Sequence, residues 1–247
     1  MKRALLCCVS LIWTLLFCPW SFGQYTVDST QDGADTNAGD GVCQTMDGGC
    51  SLRAALQEAQ ASGVPSTIAL PEGTYDWTLG ELFIESGDIT INGGGARTTI
   101  LDAAGNSRFF ELAGSSTFVT FRDLEFRNGF DGNDPGGAIE TDAELLVLER
   151  IVFRNCVTED GFGGAIHNRE NLEVYSSLFL DCKAFGNDGG NGGGGGGGGL
   201  AAGGAISSWL ASSTVVENST FFGCVAEGGQ GGDAGGNGGG GNGGGGS

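Results

Sequence analysis

Carboxylates dominate the side chains able to do chemistry. Asp131 and Asp134 in FDGNDPGG, and Glu159 and Asp160 in VTEDG, fall at equivalent turns of two successive repeats. Stacked, they would form one acidic edge, with Arg127 and Arg154 expected beside it. Glycoside hydrolysis needs two or three carboxylates converging on one patch. A polysaccharide lyase needs an Arg or Lys base, commonly with Ca²⁺ held by aspartates. The competing reading is that these are acidic turn residues in a chain with 30 acidic and 11 basic residues. That reading is adopted, so no catalytic residue and no metal ligand is assigned. His167, the only histidine, follows a GGAI tetrapeptide and reads as a solvated turn residue. The stretch GGQGGDAG at 228–235 approaches a calcium-binding nonapeptide, but it occurs once and has Gly235 where a large apolar residue belongs. No cofactor is therefore expected, with Ca²⁺ kept as an alternative.

The cysteines divide by position. Cys7, Cys8 and Cys18 lie in an N-terminal apolar run. Cys43 and Cys50 flank the short loop QTMDGG, which in an exported protein reads as a local disulfide. Cys156, Cys182 and Cys224 occupy one column of the repeat. Identical side chains on strands about 4.7–4.9 Å apart hold their Cβ atoms farther apart than the roughly 3.8 Å a disulfide prefers. They are expected to be buried thiols, a strained disulfide between two of them being the alternative. Without CxxC spacing or a histidine partner they do not suggest a metal site.

The elements that must position these residues follow from the repeat. FRDLEFRNG at 121–129, LERIVFRNC at 148–156, VYSSLFLDC at 174–182 and VENSTFFGC at 216–224 are copies of one pattern. GGAI recurs as Gly136-Gly137-Ala138-Ile139, Gly163-Gly164-Ala165-Ile166 and Gly203-Gly204-Ala205-Ile206. Cys156 and Cys182 are 26 positions apart, and Phe126 and Phe153 are 27 apart. That spacing fits one coil of three short strands and three turns, and disfavours a β-propeller with blades of about 40 residues. The expected fold is all-β: a right-handed parallel β-helix, a pectin-lyase-like solenoid, of about five coils. A glycine-rich insert at 186–199 leaves through a turn, as solenoids tolerate.

In register, Val119, Leu146, Leu172 and Thr214 form one column, Phe121, Leu148, Val174 and Val216 a second, and Phe126, Phe153, Phe179 and Phe221 a third. Asn128, Asn155 and Asp181 form a column at a turn, where stacked amides are expected to hydrogen-bond between coils. The isoleucine of GGAI should point inward, while its glycines allow a tight turn. One helix is predicted over 51–61, with Ser51 as N-cap and Gly63 and Pro65 stopping it. Its face of Leu52, Ala55, Leu56 and Ala59 suits the open end of a strand stack.

Lys2 and Arg3 ahead of an apolar run at 4–19 read as a secretory signal over 1–23. The run is shorter than the roughly 20 residues needed to span a bilayer, and no transmembrane segment is expected after it. The remaining organisation is an N-terminal cap segment at 24–66, β-helix repeats at 67–227 and a glycine-rich tail at 228–247. Such a tail cannot bury apolar surface and should be mobile or form a stacked polyglycine-II-like insert. Removing Lys2 and Arg3 leaves nine basic against 30 acidic residues, a net charge of −21. That charge argues against nucleic acid and anionic lipid as direct partners.

GDGVCQTMDGGCSLRAALQEAQ at 39–60 resembles the CSLREA-type N-terminal segment of bacterial exported β-helix proteins, usually GDGxCxxxxxxCSLREAIxxAN. Cys43, Cys50, Ser51, Leu52, Arg53 and Ala55 match, while Ala54 replaces the usual Glu and Leu56 the Ile. The GGAI and Phe-Arg-Asn repeats resemble those of polymorphic outer-membrane proteins, with Phe-x-Asn here in place of FxxN. The resemblance implies a secreted or cell-surface β-helix protein, often large and anchored at its C-terminus. With no terminal aromatic strand after the glycine tract, the chain reads as the N-terminal part of something longer. The functional expectation is a non-catalytic, adhesin-like or structural module whose partners are extracellular glycans or other surface proteins. The alternatives are a β-helix polysaccharide lyase or hydrolase on the acidic edge, and a calcium-responsive matrix component.

Overall fold

A computed structural model describes residues 22–190, 197–209 and 212–232. Residues 1–21 of the expected signal sequence at 1–23, and the tail beyond residue 232 with Asp233 of the calcium-like motif, lie outside them. The strands assemble into three parallel sheets wound as a β-helix. The longest sheet runs from Gly23–Thr26 to Ser213–Glu217. A second stacks six strands from Gly73–Asp76 to Thr220–Phe222, and a third stacks four, from Phe130–Asp131 to Val225–Glu227. Complete turns therefore number four rather than the expected five. The rounds entering at Ser66 and Gly87 have no strand in the third sheet.

All three apolar columns are in register. Val119, Leu146, Leu172 and Thr214 pair in order, as do Phe121, Leu148, Val174 and Val216. The phenylalanines Phe126, Phe153, Phe179 and Phe221 stack at 5.0, 4.9 and 4.7 Å between centroids, with planes within 14°. Isolated aromatic pairs prefer offset or edge-on geometry; here the parallel register imposes the face-on stack. One long strand, Phe110–Arg122, serves two rounds of the stack. Its halves pair with different neighbours, Leu82–Ile84 and Gly87–Gly93, and Gly114 with φ 99° marks the break.

Two columns of corners take left-handed backbone. One holds Asp123, Arg150, Ser176 and Asn218, the other Asn128, Asn155 and Asp181, all with φ between 52° and 57°. Asn and Asp tolerate this region better than other side chains. The second column is therefore explained by backbone conformation, not by an amide ladder. Of the bonds expected there, Asn128 Nδ2 donates to Asp102 Oδ1 at 2.9 Å, and the asparagines do not bond one another.

GGAI resolves into separate roles. Gly136, Gly163 and Gly203 have φ of 81°, 68° and 65°. At Gly137 a Cβ would lie 2.4 Å from the carbonyl oxygens of both Gly164 and Val157, so the second glycine is needed for space. Ala138, Ala165 and Ala205 are buried, as are Ile139 and Ile166, while Ile206 on the last turn is only partly covered.

The cap helix spans Leu52–Ser62. Ser51 Oγ accepts from Ala54 N, and Gly63 closes the helix at φ 64°. Leu52, Ala55, Leu56 and Ala59 join the core, and the helix lies against the first strands of the longest sheet. Two buried charges fix it. Glu58 accepts from the backbone of Gly39 and Gly41, which accounts for the GDG loop. Arg53 pairs with buried Asp32 at 2.7 Å, donates to Gly80 O at 2.6 Å and lies 4.4 Å over the Trp77 ring. Asp32 also accepts from Thr78 N and Leu79 N, so one ion pair joins the cap to the first round. The Cys43–Cys50 disulfide closes the loop before the helix.

The glycine segments at 186–190, 197–199 and 228–232 are packed together. Each pair is hydrogen-bonded: Gly189 N to Gln230 O, Gly199 N to Asn187 O, and Gly229 N to Gly199 O. A Cβ on Gly198, Gly229 or Gly232 would lie 2.0–2.3 Å from a carbonyl oxygen of a neighbouring segment. The three segments thus pack backbone to backbone, with no room for side chains between them.

Candidate functional site

The residue after each GGAI isoleucine stacks into an outer column. Glu140 is in register with Glu111 on one side and His167 on the other, and Ser207 follows. Strand alternation turns these side chains away from the core, yet Glu140 and Ser207 are nearly buried and His167 is 2% exposed. The cover comes from the turns, as Phe162 and Trp209 flank the imidazole at 6.1 and 6.3 Å. His167 is thus a sealed residue of the strand Ile166–Asn168, not the expected solvated turn residue. Burial first, then the positive charges of Arg169 and Arg108, push its pKa down to about 4. It is neutral at pH 7, and its Nδ1 has no hydrogen-bond partner.

Arg108 anchors the other end of this column. Its guanidinium, 2% exposed, pairs with Glu81, with Glu111 at 3.0 Å and with Glu140 at 2.8 Å, and donates to Pro135 O. Burial opposes its charge, but Glu81 and Glu140 outweigh that and raise its pKa. Glu140 takes Arg169 on its second oxygen at 2.7 Å. Burial nevertheless raises the Glu140 pKa against the pull of both arginines. Arg169 also lies over Trp209, 5.7 Å from the ring centroid. Beside Arg108 opens a cleft of about 510 Å³ lined in part by Glu81, Ser107, Asp131 and Asn133. The buried Ser107 Oγ makes no hydrogen bond there.

The acidic edge is only partly assembled. Asp131 lies 3.9 Å from Arg108 and accepts from the backbone of Asn133 and Asp134, which shapes its turn. Asp160 belongs to the same patch. Burial first, then the charges of Asp134 and Asp131, raise its pKa. Glu159 instead lines a separate cleft with Asp188 and Glu227. The arginines expected at this edge are elsewhere, since Arg127 pairs with Asp102 at 2.7 Å and Arg154 with Glu125 at 3.1 Å. The arginine that faces the patch is Arg108. Chemically, the patch offers one carboxyl inclined to hold a proton, Asp160, beside Asp134 and Asp131, whose charges contribute to that shift. Among the described residues, no group of three or more His, Cys, Asp or Glu is arranged to hold a metal ion.

Sequence reasoning missed Arg108, Glu140, His167 and Arg169 as one cluster. The available signal was the polar position after GGAI, which reads Glu, His, Ser in successive copies and stacks whatever is placed there.

The cysteine column behaves as packing. Cys156 and Cys182 are fully buried free thiols and Cys224 is half-buried. The hydrogen-bonding thiol of the adjacent coil, together with burial, raises the pKa of both Cys182 and Cys224. They are protonated and unreactive at neutral pH.

Among the described residues, no helix is long and apolar enough to cross a membrane. No protein-family model matches the chain, and neither a curated protein nor a solved structure is significantly similar to it.

Proposed function

We propose that the chain is an exported, surface-exposed β-helix module with a structural or adhesin-like role. The supporting observation is how its cationic groups are engaged. Arg53, Arg108, Arg122, Arg127, Arg150, Arg154 and Arg169 are all ion-paired with carboxylates. Most of these pairs cross between coils, as with Arg122–Glu149 and Arg150–Asp123, each 27 positions apart. Such pairs brace the stack and leave those arginines engaged rather than open to substrate. The likeness of residues 39–60 to CSLREA-type segments, and of GGAI to polymorphic outer-membrane repeats, supports placement at the cell surface or in the medium. Extracellular glycans or other surface proteins are the partners that fit this role.

A second reading rests on Asp160. A carboxyl whose pKa is raised by burial and by neighbouring Asp134 and Asp131 is the kind of group that acid–base hydrolysis uses. Purified protein incubated with uronic-acid polysaccharides, with and without Ca²⁺, separates the two readings. The structural role predicts no new chain ends. Turnover that disappears in Asp134→Ala or Asp160→Ala would replace it with the enzymatic one. A calcium-responsive role predicts a melting temperature that rises across millimolar Ca²⁺, and an unchanged value excludes it.

A further inference from the structure

Three corners of the solenoid meet beside Arg108. Each follows one of three neighbouring strands of the second sheet, Gly73–Asp76, Thr99–Asp102 and Glu125–Arg127. The cleft of about 510 Å³ between them has a volume at which proteins hold small ligands. Its apolar walls are Leu79, 56% exposed, and Phe130. The corners are held before any ligand arrives. Asp32 accepts from Leu79 N, Arg53 donates to Gly80 O and Glu81 O, and Phe130 N donates to Ser107 O.

We propose that this cleft binds a pyranose ring carrying a free amino group, as one unit of an extracellular glycan. The inference rests on the reading of the chain as a non-catalytic surface module and names one of its ligands. Three observations select that chemistry. The first is charge. Arg108 and Arg169 pair with four carboxylates, those of Glu81, Glu111, Asp131 and Glu140, so the site attracts a cation and repels a uronic acid.

The second is the set of oxygens left to accept from an ammonium group. Asp131 uses Oδ1 on the backbone of Asn133 and Asp134, while its Oδ2 lies 3.9 Å from Arg108, beyond hydrogen-bond reach. Glu81 meets Arg108 through Oε2, which leaves Oε1 for a ligand. The third separates a sugar from an ammonium on a plain alkyl chain, such as a lysine. A pyranose presents a C–H face to Leu79 and Phe130 and hydroxyls to the exposed amides of Asn106 and Asn133. Ser107 lines the same cleft, and its buried Oγ has no hydrogen-bond partner, a need that a sugar hydroxyl satisfies.

The test is isothermal titration calorimetry of the full chain with three oligosaccharides of equal length: β-linked glucosamine, its N-acetylated form and a uronic acid. Glucosamine should bind tightest and the uronic acid not detectably. The margin of glucosamine over its N-acetylated form should shrink between about 50 and 500 mM salt. Asp131→Asn keeps the acceptor that shapes the turn and removes the charge. It should weaken glucosamine about tenfold and the N-acetylated form by no more than about twofold. Leu79→Ala, on the exposed wall, should weaken both about fivefold and leave the circular dichroism unchanged. No binding of glucosamine, a preference for the uronic acid, or binding indifferent to both substitutions would each overturn the proposal. Oligolysine bound as tightly, and unaffected by Leu79→Ala, would overturn it in favour of a basic protein segment. Cleavage is read separately, as new reducing ends in the same samples. Binding without cleavage supports both readings, and binding with it supports the cleft while overturning the non-catalytic role.

Discussion

At its N-terminal end the solenoid is closed by a helix and by polar residues that are buried and fully engaged. Arg53, Asp32 and Glu58 there bind backbone groups from two separate segments, 39–41 and 78–80. At the last described turn the same columns reach an exposed phenylalanine and an exposed valine. The difference teaches that the repeat stabilises neighbours and cannot finish itself. A coil supplies half of each interface, so an end needs either a dedicated plug, made from non-repeating sequence, or another coil.

The largest expected effect tests the plug. Arg53→Ala strands Asp32, 1% exposed, without its partner and removes the contact over Trp77. Stability in urea unfolding should fall by about 4–5 kcal/mol. A loss below about 1 kcal/mol would mean that the buried pair does not hold the cap. Next, the same substitution at two heights of one column compares the middle with the open end. Phe153→Ala should cost about 4 kcal/mol. Phe221→Ala should cost about 1 kcal/mol, because nearly half of that ring is already in water. Equal losses would show that the last turn is as well covered as the one that carries Phe153.

Acid tests the body between the ends. The folded-state pKa of His167, about 4, lies below the ordinary 6.5, so the unfolded chain binds the proton more tightly. Its contribution is complete above pH 6.5 and is lost as pH falls toward 4, on the order of 3 kcal/mol over that window. Glu140 and Asp160, whose pKa values are raised, act in the opposite sense. The difference between wild type and His167→Gln, followed by unfolding from pH 7 to 4, isolates the histidine. Parallel curves for the two proteins would show that the imidazole is solvated after all. The last test returns to the cap. Reducing Cys43–Cys50, a bridge across seven positions, should cost about 2–3 kcal/mol and leave the circular dichroism of the strands intact.

Much of this was legible before the structure, for a physical reason. In a parallel stack, every coil sees its neighbours at the same register, so a repeated residue must occupy a repeated environment. The phenylalanine column, the inward isoleucines of GGAI and the unpaired cysteines follow from that alone. The helix was equally readable, because Ser51 and Gly63 are local signals with local causes. What escaped was set by the turns, which do not repeat. His167 is sealed by Phe162 and Trp209, which lie on separate turns, and no periodicity announces that they converge on it. The Asn128 column was placed correctly but explained wrongly, since left-handed φ and amide stacking select the same residue types. The acidic edge failed for the same reason as His167. Glu159 and Asp160 are adjacent in the turn after Val157–Thr158, yet Glu159 lines the cleft with Asp188 and Glu227 while Asp160 feels Asp134 and Asp131.

The three glycine segments carry a consequence for how this chain can change over generations. Their composition looks trivial, yet at Gly198, Gly229 and Gly232 even a methyl group would overlap a neighbouring carbonyl. Substitution is therefore forbidden there, whereas a run of identical glycines such as 192–199 can gain or lose members without changing its letters. Such a region drifts in length and stands still in letter. Two descendants of one ancestor would differ there by gaps, and their kinship would have to be recognised from the coils on either side.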